Sequence, residues 1–373
     1  MKYKKILVTG GAGFIGSHLV DGLIKKGYRV RVMDNLFKQI HPSGKLPDYF
    51  NKKAEFFKGD VTKREGWKTA LKEIDVVYHL ASAVGVGQSM YEVEHYVKVN
   101  SLGTALFLDI LANENHSVQK IIVAASMSSY GEGTYHFEGK GLFQPPLRNE
   151  KDLKKGDYNV YYPGTRIMGE PRATSEDVKQ NSNSIYAIGK KNQEEMILVF
   201  GKAYGIPSVA MRYFNVYGPR QSLSNPYNGV VAIFQSRVKN NKLPIINEDG
   251  TQTRDFIHVT DVTAANIKAM EEDSANYEVF NVGSGNPISI SEVARILIQL
   301  NGKKFKSDIT GKIRKLDVKH CFADITKIKK LLGWNPTIRF EEGLKEVLKW
   351  SEGEKAEDKL DFALSQLEKR GLR

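Results

Sequence analysis

The chain has 373 residues, 41% of them hydrophobic, enough to bury a sizeable core in two domains or in one large domain with an appendage. A single cysteine, Cys321, and the lack of any apolar run of about 18 residues exclude an internal disulfide, a cysteine-based zinc cluster and a helical membrane span, and predict a cytoplasmic protein with no metal and no membrane partner. The formal net charge of +12 is scattered in lysine pairs such as Lys25-Lys26, Lys154-Lys155 and Lys329-Lys330, which reads as a solvated surface and not as a nucleic-acid site.

Short β-branched runs at Ile6–Val8, Val30–Val32, Glu55–Phe57, Val76–Leu80, Ile121–Ala124 and Val209–Arg212 alternate with amphipathic stretches. That alternation predicts an α/β fold, a doubly wound parallel sheet with helices on both faces, over residues 1–216. An insertion at about 132–185, rich in Gly, Pro, Tyr and charge, exceeds an ordinary loop and predicts a functional lid or insertion. Beyond Tyr217 the elements shorten, which predicts a smaller domain over 217–350 with some segments returning to the first. Leu360, Ala363, Leu364 and Leu367 stand at helical spacing among charges, so 351–373 reads as a helical tail.

The first predicted strand runs into Gly10, Gly13 and Gly16, just where a helix begins. Glycines there allow a tight turn, close approach to a pyrophosphate and close packing of the helix on the sheet. Asp34 ends the second strand, where a carboxylate takes both ribose hydroxyls and repels a 2′-phosphate, so the predicted cofactor is NAD and not NADP. A tight turn without a ligand is the alternative. Farther on, "YAIGK" puts Tyr186 and Lys190 four residues apart on one side of a predicted helix. A phenol of pKa about 10 becomes a usable base when an ammonium and an oxidised nicotinamide both favour the phenolate. Taken alone, the same spacing is an ordinary surface pair.

Nine motifs occur in order: the glycines after "VT", Asp34, "GDV" at 59–61, "HLAS" at 79–82, Asn100 before "GT", "ASMSSYG" at 125–131, "YAIGK", "RYFNVYGPRQ" at 212–221 and "RDFIHVTDV" at 254–262. Together they resemble the extended short-chain dehydrogenase/reductases, specifically the NAD-dependent nucleotide-sugar epimerases and dehydratases, over about residues 3–350. The resemblance implies a Rossmann domain with a smaller C-terminal substrate-binding domain. It places NAD against Gly10, Gly13, Phe14, Ile15, Gly16, Asp34, Asn35, Tyr186, Lys190 and Tyr213, with Asp60 and Val61 at the adenine, Leu80, Ala81 and Ala83 along the cleft, and Asn100 on the adenosine side. Ser126, Tyr186 and Lys190 are the implied catalytic residues, Ser126 bonding the reacting sugar oxygen. Asn215, Arg254 and Arg314 are the implied diphosphate ligands and Asp317 the nucleoside-ribose ligand, although Leu316 stands where the family's Arg-x-Gly-Asp has glycine.

The dehydratases of this family carry an Asp-Glu pair directly after the hydroxyl residue. This chain has Met127 and Ser128 there, which leaves a 4-epimerase, an isomerase, as the implied enzyme. "VGVGQSMYE" at 84–92, "SMSSYGEGTY" at 126–135, the long segment before Tyr186 and "NVYGPRQSLSNPYNGVVAIF" at 215–234 resemble dTDP-L-rhamnose 4-epimerases, which interconvert dTDP-L-rhamnose and dTDP-6-deoxy-L-talose. The alternatives are a UDP-hexose or UDP-hexuronate 4-epimerase, a 4,6-dehydratase and a catalytically idle NAD-binding protein. A homodimer is expected through the apolar faces of Leu102–Leu111 and Met196–Ala203.

Overall fold

The computed structural model describes residues 2–373. The six β-branched runs form strands β1 (Lys5–Thr9), β2 (Arg29–Asp34), β3 (Glu55–Lys58), β4 (Val76–His79), β5 (Lys120–Ser126) and β6 (Ser208–Tyr213), and a seventh, β7 (Val279–Val282), joins them. Their order is β7-β6-β5-β4-β1-β2-β3, and every pair is parallel. β1 has β2 on one side and β4 on the other, so the winding reverses there and a crevice opens at the carboxyl ends of β1 and β4.

A parallel sheet is covered on both faces, and its strands therefore read as continuous apolar runs. The alternation of side chains divides them. Ile6, Val8, Val32 and Ile122 pack with Leu19 and Val20 of helix α1 (Phe14–Lys25), whereas Leu7, Val77, Ile121 and Val123 pack on the opposite face with Phe107 of helix α2 (Gly103–Asn113) and Ile197 of helix α3 (Ile185–Tyr204). Helix α4 (Val259–Glu271) returns to the first face through Val262 and Ala265. Each such side chain contributes about 1.5–3 kcal/mol on full burial.

α3 begins at Ser184, whose hydroxyl accepts from the Ala187 N–H at 3.1 Å, and ends at Gly205 in the left-handed region. The residues before α2 make a π-helical turn, Val97–Leu102, which carries Asn100.

Three smaller sheets sit beside this frame, one of them the two-stranded parallel pair Ile245–Ile246 and Asp308–Ile309. Asn215–Tyr217, Thr253–His258, Pro287–Ser289 and His320–Cys321 make a second, over a core that includes Tyr217, Phe234, Phe256, Leu297 and Leu344. The insertion makes a third: Gly141–Phe143, Thr134–Phe137 and Gly169–Arg172 form an antiparallel sheet with its own core of Tyr135, Phe137 and Val160. Arg148 of the insertion pairs with Glu248 at 2.6 Å, both side chains nearly inaccessible, and also donates to the Asp317 carbonyl oxygen at 3.2 Å.

Candidate active site

The crevice after β1 is shaped by its glycines. Gly10 has φ +70°, and a Cβ on Gly16 would fall 2.2 Å from the Gly10 carbonyl oxygen, so α1 packs against the turn as only glycine permits. A Cβ on Gly13 would meet just that same oxygen within 4 Å, leaving the turn thin on its open side, where the amino terminus of α1 offers free N–H groups. Thr9 Oγ1 accepts from Leu80 N (3.2 Å) and Ala81 N (3.1 Å), tying the ends of β1 and β4 together.

Asp34 Oδ2 accepts from Ala12 N at 3.1 Å and Oδ1 from Leu36 N at 2.9 Å, which holds the carboxylate at the end of β2. Burial pushes its pKa up, opposed by those two N–H groups and by His41. Partial burial would raise the Asp60 carboxyl, but Thr62, which donates to Oδ1 through N and Oγ1 (2.8 Å each), and Asn35 (3.1 Å to Oδ2) hold it below the ordinary value. A thin glycine turn, a helix amino terminus and two fixed carboxylates, with Phe14, Ile15, Val61, Leu80, Ala81, Ala83 and Tyr213 along the same wall, fit a dinucleotide. Asn100 differs from its expected place. It is fully buried behind the wall, where Oδ1 accepts from Ala83 N (2.8 Å) and Ser82 Oγ (3.0 Å) and Nδ2 donates to Ala83 O (3.1 Å), so it braces the cleft loop without facing the cavity.

Ser126 ends β5 and Tyr186 opens α3, so the join of these two elements brings the hydroxyl and the phenol together. Ser126 Oγ also accepts from Ser128 Oγ at 2.9 Å. Lys190 Nζ donates to Ala124 O and Gln193 Oε1, both at 2.9 Å. Burial pushes the Tyr186 phenol up, only partly offset by the Ser126 hydrogen bond, and Lys190, itself pushed down to about 7 by burial, is engaged with Ala124 and Gln193. A positive charge in the cavity favours the phenolate.

At the far end, Arg254 and Arg314 reach the same Asp317 Oδ1, at 3.0 and 2.9 Å. Burial raises that carboxyl, but Arg314, Arg254 and Arg148 together hold it below the usual range. Leu316, in the place of the family's glycine, adopts φ +63°. Asn215 Oδ1 is buried without a partner, an acceptor left to a ligand.

One cavity of about 650 Å³ collects these groups, and every predicted site residue except Asn100 lines it. Asp34, Asp60 and Asp317 are its carboxylates; beside Ser126 stand Met127 and Ser128. The insertion is not its lid: no residue of 132–184 lines it. The lining that the sequence did not reveal includes Asn228, Asn247 and Gln252, and the leucines of helix α5 (Leu360–Glu368), whose spacing was visible but whose packing partner was not. Among the described residues no group of three or more His, Cys, Asp or Glu is arranged to hold a metal ion, and no helix is long and apolar enough to cross a membrane.

Residues 6–283 match the NAD dependent epimerase/dehydratase family. A dTDP-L-rhamnose 4-epimerase from Burkholderia thailandensis is 33% identical over 349 residues, 93% of this chain and 94% of that protein. Among solved structures, the chain is similar to a UDP-glucose 4-epimerase of Thermotoga maritima with UDP-glucose (32% identity, TM-score 0.76, covering 93% of this chain and 98% of that one). It is also similar to a UDP-glucose 4-epimerase of Thermus thermophilus in complex with NAD (28% identity, TM-score 0.75, covering 94% of this chain and 100% of that one).

Proposed function

The chain belongs to the NAD dependent epimerase/dehydratase family and is an NAD-dependent nucleotide-sugar 4-epimerase, and from that premise we propose that it interconverts dTDP-L-rhamnose and dTDP-6-deoxy-L-talose. The observation that carries this reading is the place of two stretches resembling enzymes of that specificity: residues of 84–92 and of 215–234 line the cavity in which Ser126 and Tyr186 meet.

The glycine turn, Asp34 and Asp60 would hold NAD, which when bound would supply a hydride acceptor that becomes the donor, and a positive charge that favours the phenolate. Tyr186 takes the proton of the sugar 4-hydroxyl and later returns it. Ser126 holds the same oxygen as it becomes a carbonyl. Asn215, Arg254 and Arg314 clamp the diphosphate and Asp317 the nucleoside ribose, so the sugar is the part left free to turn about its phosphate linkage and present its other face. Elimination of water across C5 and C6 needs an acid and a base beyond the tyrosine, and neither Met127 nor Ser128 supplies one.

The reading includes a cytoplasmic homodimer joined through α2 and α3. Its support is the apolar surface there, with Leu102 45%, Ile188 44% and Val199 69% exposed.

The test is incubation with dTDP-L-rhamnose, UDP-glucose and UDP-glucuronate, with products read by NMR. Epimerisation of dTDP-L-rhamnose supports the proposal; turnover of a UDP sugar instead assigns the UDP-hexose or UDP-hexuronate alternative. A released 4-keto-6-deoxy product indicates a lyase, and no turnover an idle NAD-binding protein.

A further inference from the structure

The stretch that follows Glu354 forms an outer wall of the cavity. In α5, Leu360, Ala363, Leu364 and Leu367 face inward and line it, while Phe362 is 61% exposed on the outer side. Leu367 lies against the loop and short helix (Val86–Ser89) that follow β4: its Cδ2 is 3.2 Å from where a Cβ on Gly87 would be. That short helix is near the reacting groups, because Ser89 Oγ accepts from the Tyr186 N–H at 3.1 Å.

The segment is fastened on both sides of the mouth. On the β4 side the Arg370 guanidinium lies 4.3 Å over the Tyr91 ring, whose hydroxyl donates to Tyr227 at 2.6 Å. On the nucleotide side Leu372 O accepts from Lys315 N at 3.1 Å, next to Arg314, and Glu368 pairs with Lys312 at 3.2 Å. Arg373 pairs with Glu368 at 2.9 Å and reaches the cavity residue Asn247 at 3.4 Å, its side chain only 5% exposed and its Nε without a partner. Behind the helix, Asp358 and Asp361 pair with Arg237 at 3.1 and 3.2 Å.

A helix of nine residues is marginal by itself, so α5 depends on what it touches. The buried Arg237–Asp358 pair, its side chains 8% and 5% exposed, anchors the start of the segment, whereas the fastenings through Lys312–Glu368 and Arg370 are solvent-exposed and cost little to break, and the leucine stripe is returned to the cavity by burial. This combination opens easily and closes on contents. A 4-epimerase has particular use for it, since a keto sugar that is released from its face contacts in order to turn must be kept from leaving.

We propose that residues 356–373 are a lid that closes over the bound nucleotide sugar and retains its 4-keto form, with Leu364 and Leu367 as the retaining wall. The retention rests on the epimerase reading above; the closing does not.

The full-length protein with NAD is followed by hydrogen exchange with saturating dTDP, UDP, dTDP-L-rhamnose or UDP-glucose. At least one of these should slow exchange of the 360–368 amides by about tenfold. Loosened variants, Arg370→Ala and Lys312→Ala, should lose that protection. During turnover they should also shed 4-keto nucleotide sugar, trapped with borodeuteride and counted by mass spectrometry, several-fold more per epimer formed than the wild type, with NAD affinity unchanged. No protection by any of the four ligands overturns the lid. Protection without extra keto sugar from either variant overturns retention. Protection by dTDP or UDP in a protein that turns over no sugar keeps the lid and rejects the epimerase.

Discussion

Lys190 Nζ donates to the carbonyl oxygen of Ala124 at 2.9 Å, and this bond fastens α3 to β5 two residues before Ser126 and four beyond Tyr186. Lys190→Met keeps the volume but leaves the Ala124 carbonyl and Gln193 Oε1 unsatisfied, so Ser126 and Tyr186 lose their fixed separation. Turnover should fall by a factor on the order of 10², with a stability loss of about 1–3 kcal/mol. Steady-state rates with thermal unfolding measure both, and unchanged turnover would show that the tie does not position the pair.

Asp34 is held by two N–H groups at the rim of the cofactor wall, so its carboxylate is a fixed acceptor for ribose hydroxyls and a fixed repeller of a 2′-phosphate. Replacing it in the pair Asp34→Ala, Asn35→Arg should weaken NAD by about 10–100-fold, the scale of charged hydrogen bonds, and admit NADP. Fluorescence titration of both dinucleotides decides it. Wild-type protein that binds NADP as tightly as NAD contradicts this role for Asp34.

Local chemistry was legible in the sequence where a few adjacent residues determine it. The glycine turn, six strands and the helix bearing Tyr186 and Lys190 are of this kind. β7 was not legible: its four residues Val-Phe-Asn-Val do not alternate, and the Asn281 amide is satisfied by Tyr130, Thr174 and Asp324, all distant in sequence. The Tyr186 pKa escaped for the same reason, since burial is a property of the assembled fold. Length pointed to the insertion as a lid, yet its aromatic residues bury one another in a separate small core, whereas the shorter 360–368 stripe covers the cavity. Spacing reveals an apolar face but not the surface it will meet.

Leu316 adopts a backbone conformation that favours glycine. It holds φ +63°, and its carbonyl oxygen accepts from Asn183 at 2.7 Å. A left-handed conformation costs a branched residue about 1–2 kcal/mol, offset in part by the greater chain entropy of glycine when unfolded. Leu316→Gly should therefore raise stability by about 0.5 kcal/mol and leave substrate KM unchanged, because the Asp317 clamp uses neighbouring side chains. A lower melting temperature in this variant would mean that the Leu316 side chain contributes more than its backbone costs.

Burial pushes His79 and His320 down to about 3 and His18 to about 4. The folded state thus refuses protons that the unfolded chain accepts below about pH 6.5, so this part of the stability is complete above that pH and is lost as pH falls toward the folded values. At pH 5 each such histidine costs about 2 kcal/mol, and the melting temperature should fall between pH 6.5 and 4, before most carboxylates titrate. His79→Gln should flatten the profile over that window. An equal slope in the variant would place the acid sensitivity elsewhere.

The proposed chemistry rests on Tyr186 moving the proton while Ser126 holds the oxygen, in a cavity whose carboxylates, Asp34, Asp60 and Asp317, belong to the cofactor and nucleotide ends. With no second base beside Ser126, carbon-bound hydrogen at C5 has nothing to remove it, and hydride taken from C4 can return only to C4. Substrate carrying deuterium at C4 should keep it in the epimer, and reaction in heavy water should place none on carbon. Tyr186→Phe should lower turnover by a factor on the order of 10² or more while NAD still binds. Because burial raises the phenol's pKa, the wild-type rate should climb with pH until the phenolate forms, and that limb should vanish in Tyr186→Phe. Washout of the C4 label into solvent, or full activity without the phenol, would reject this mechanism while leaving the fold and the NAD site as described.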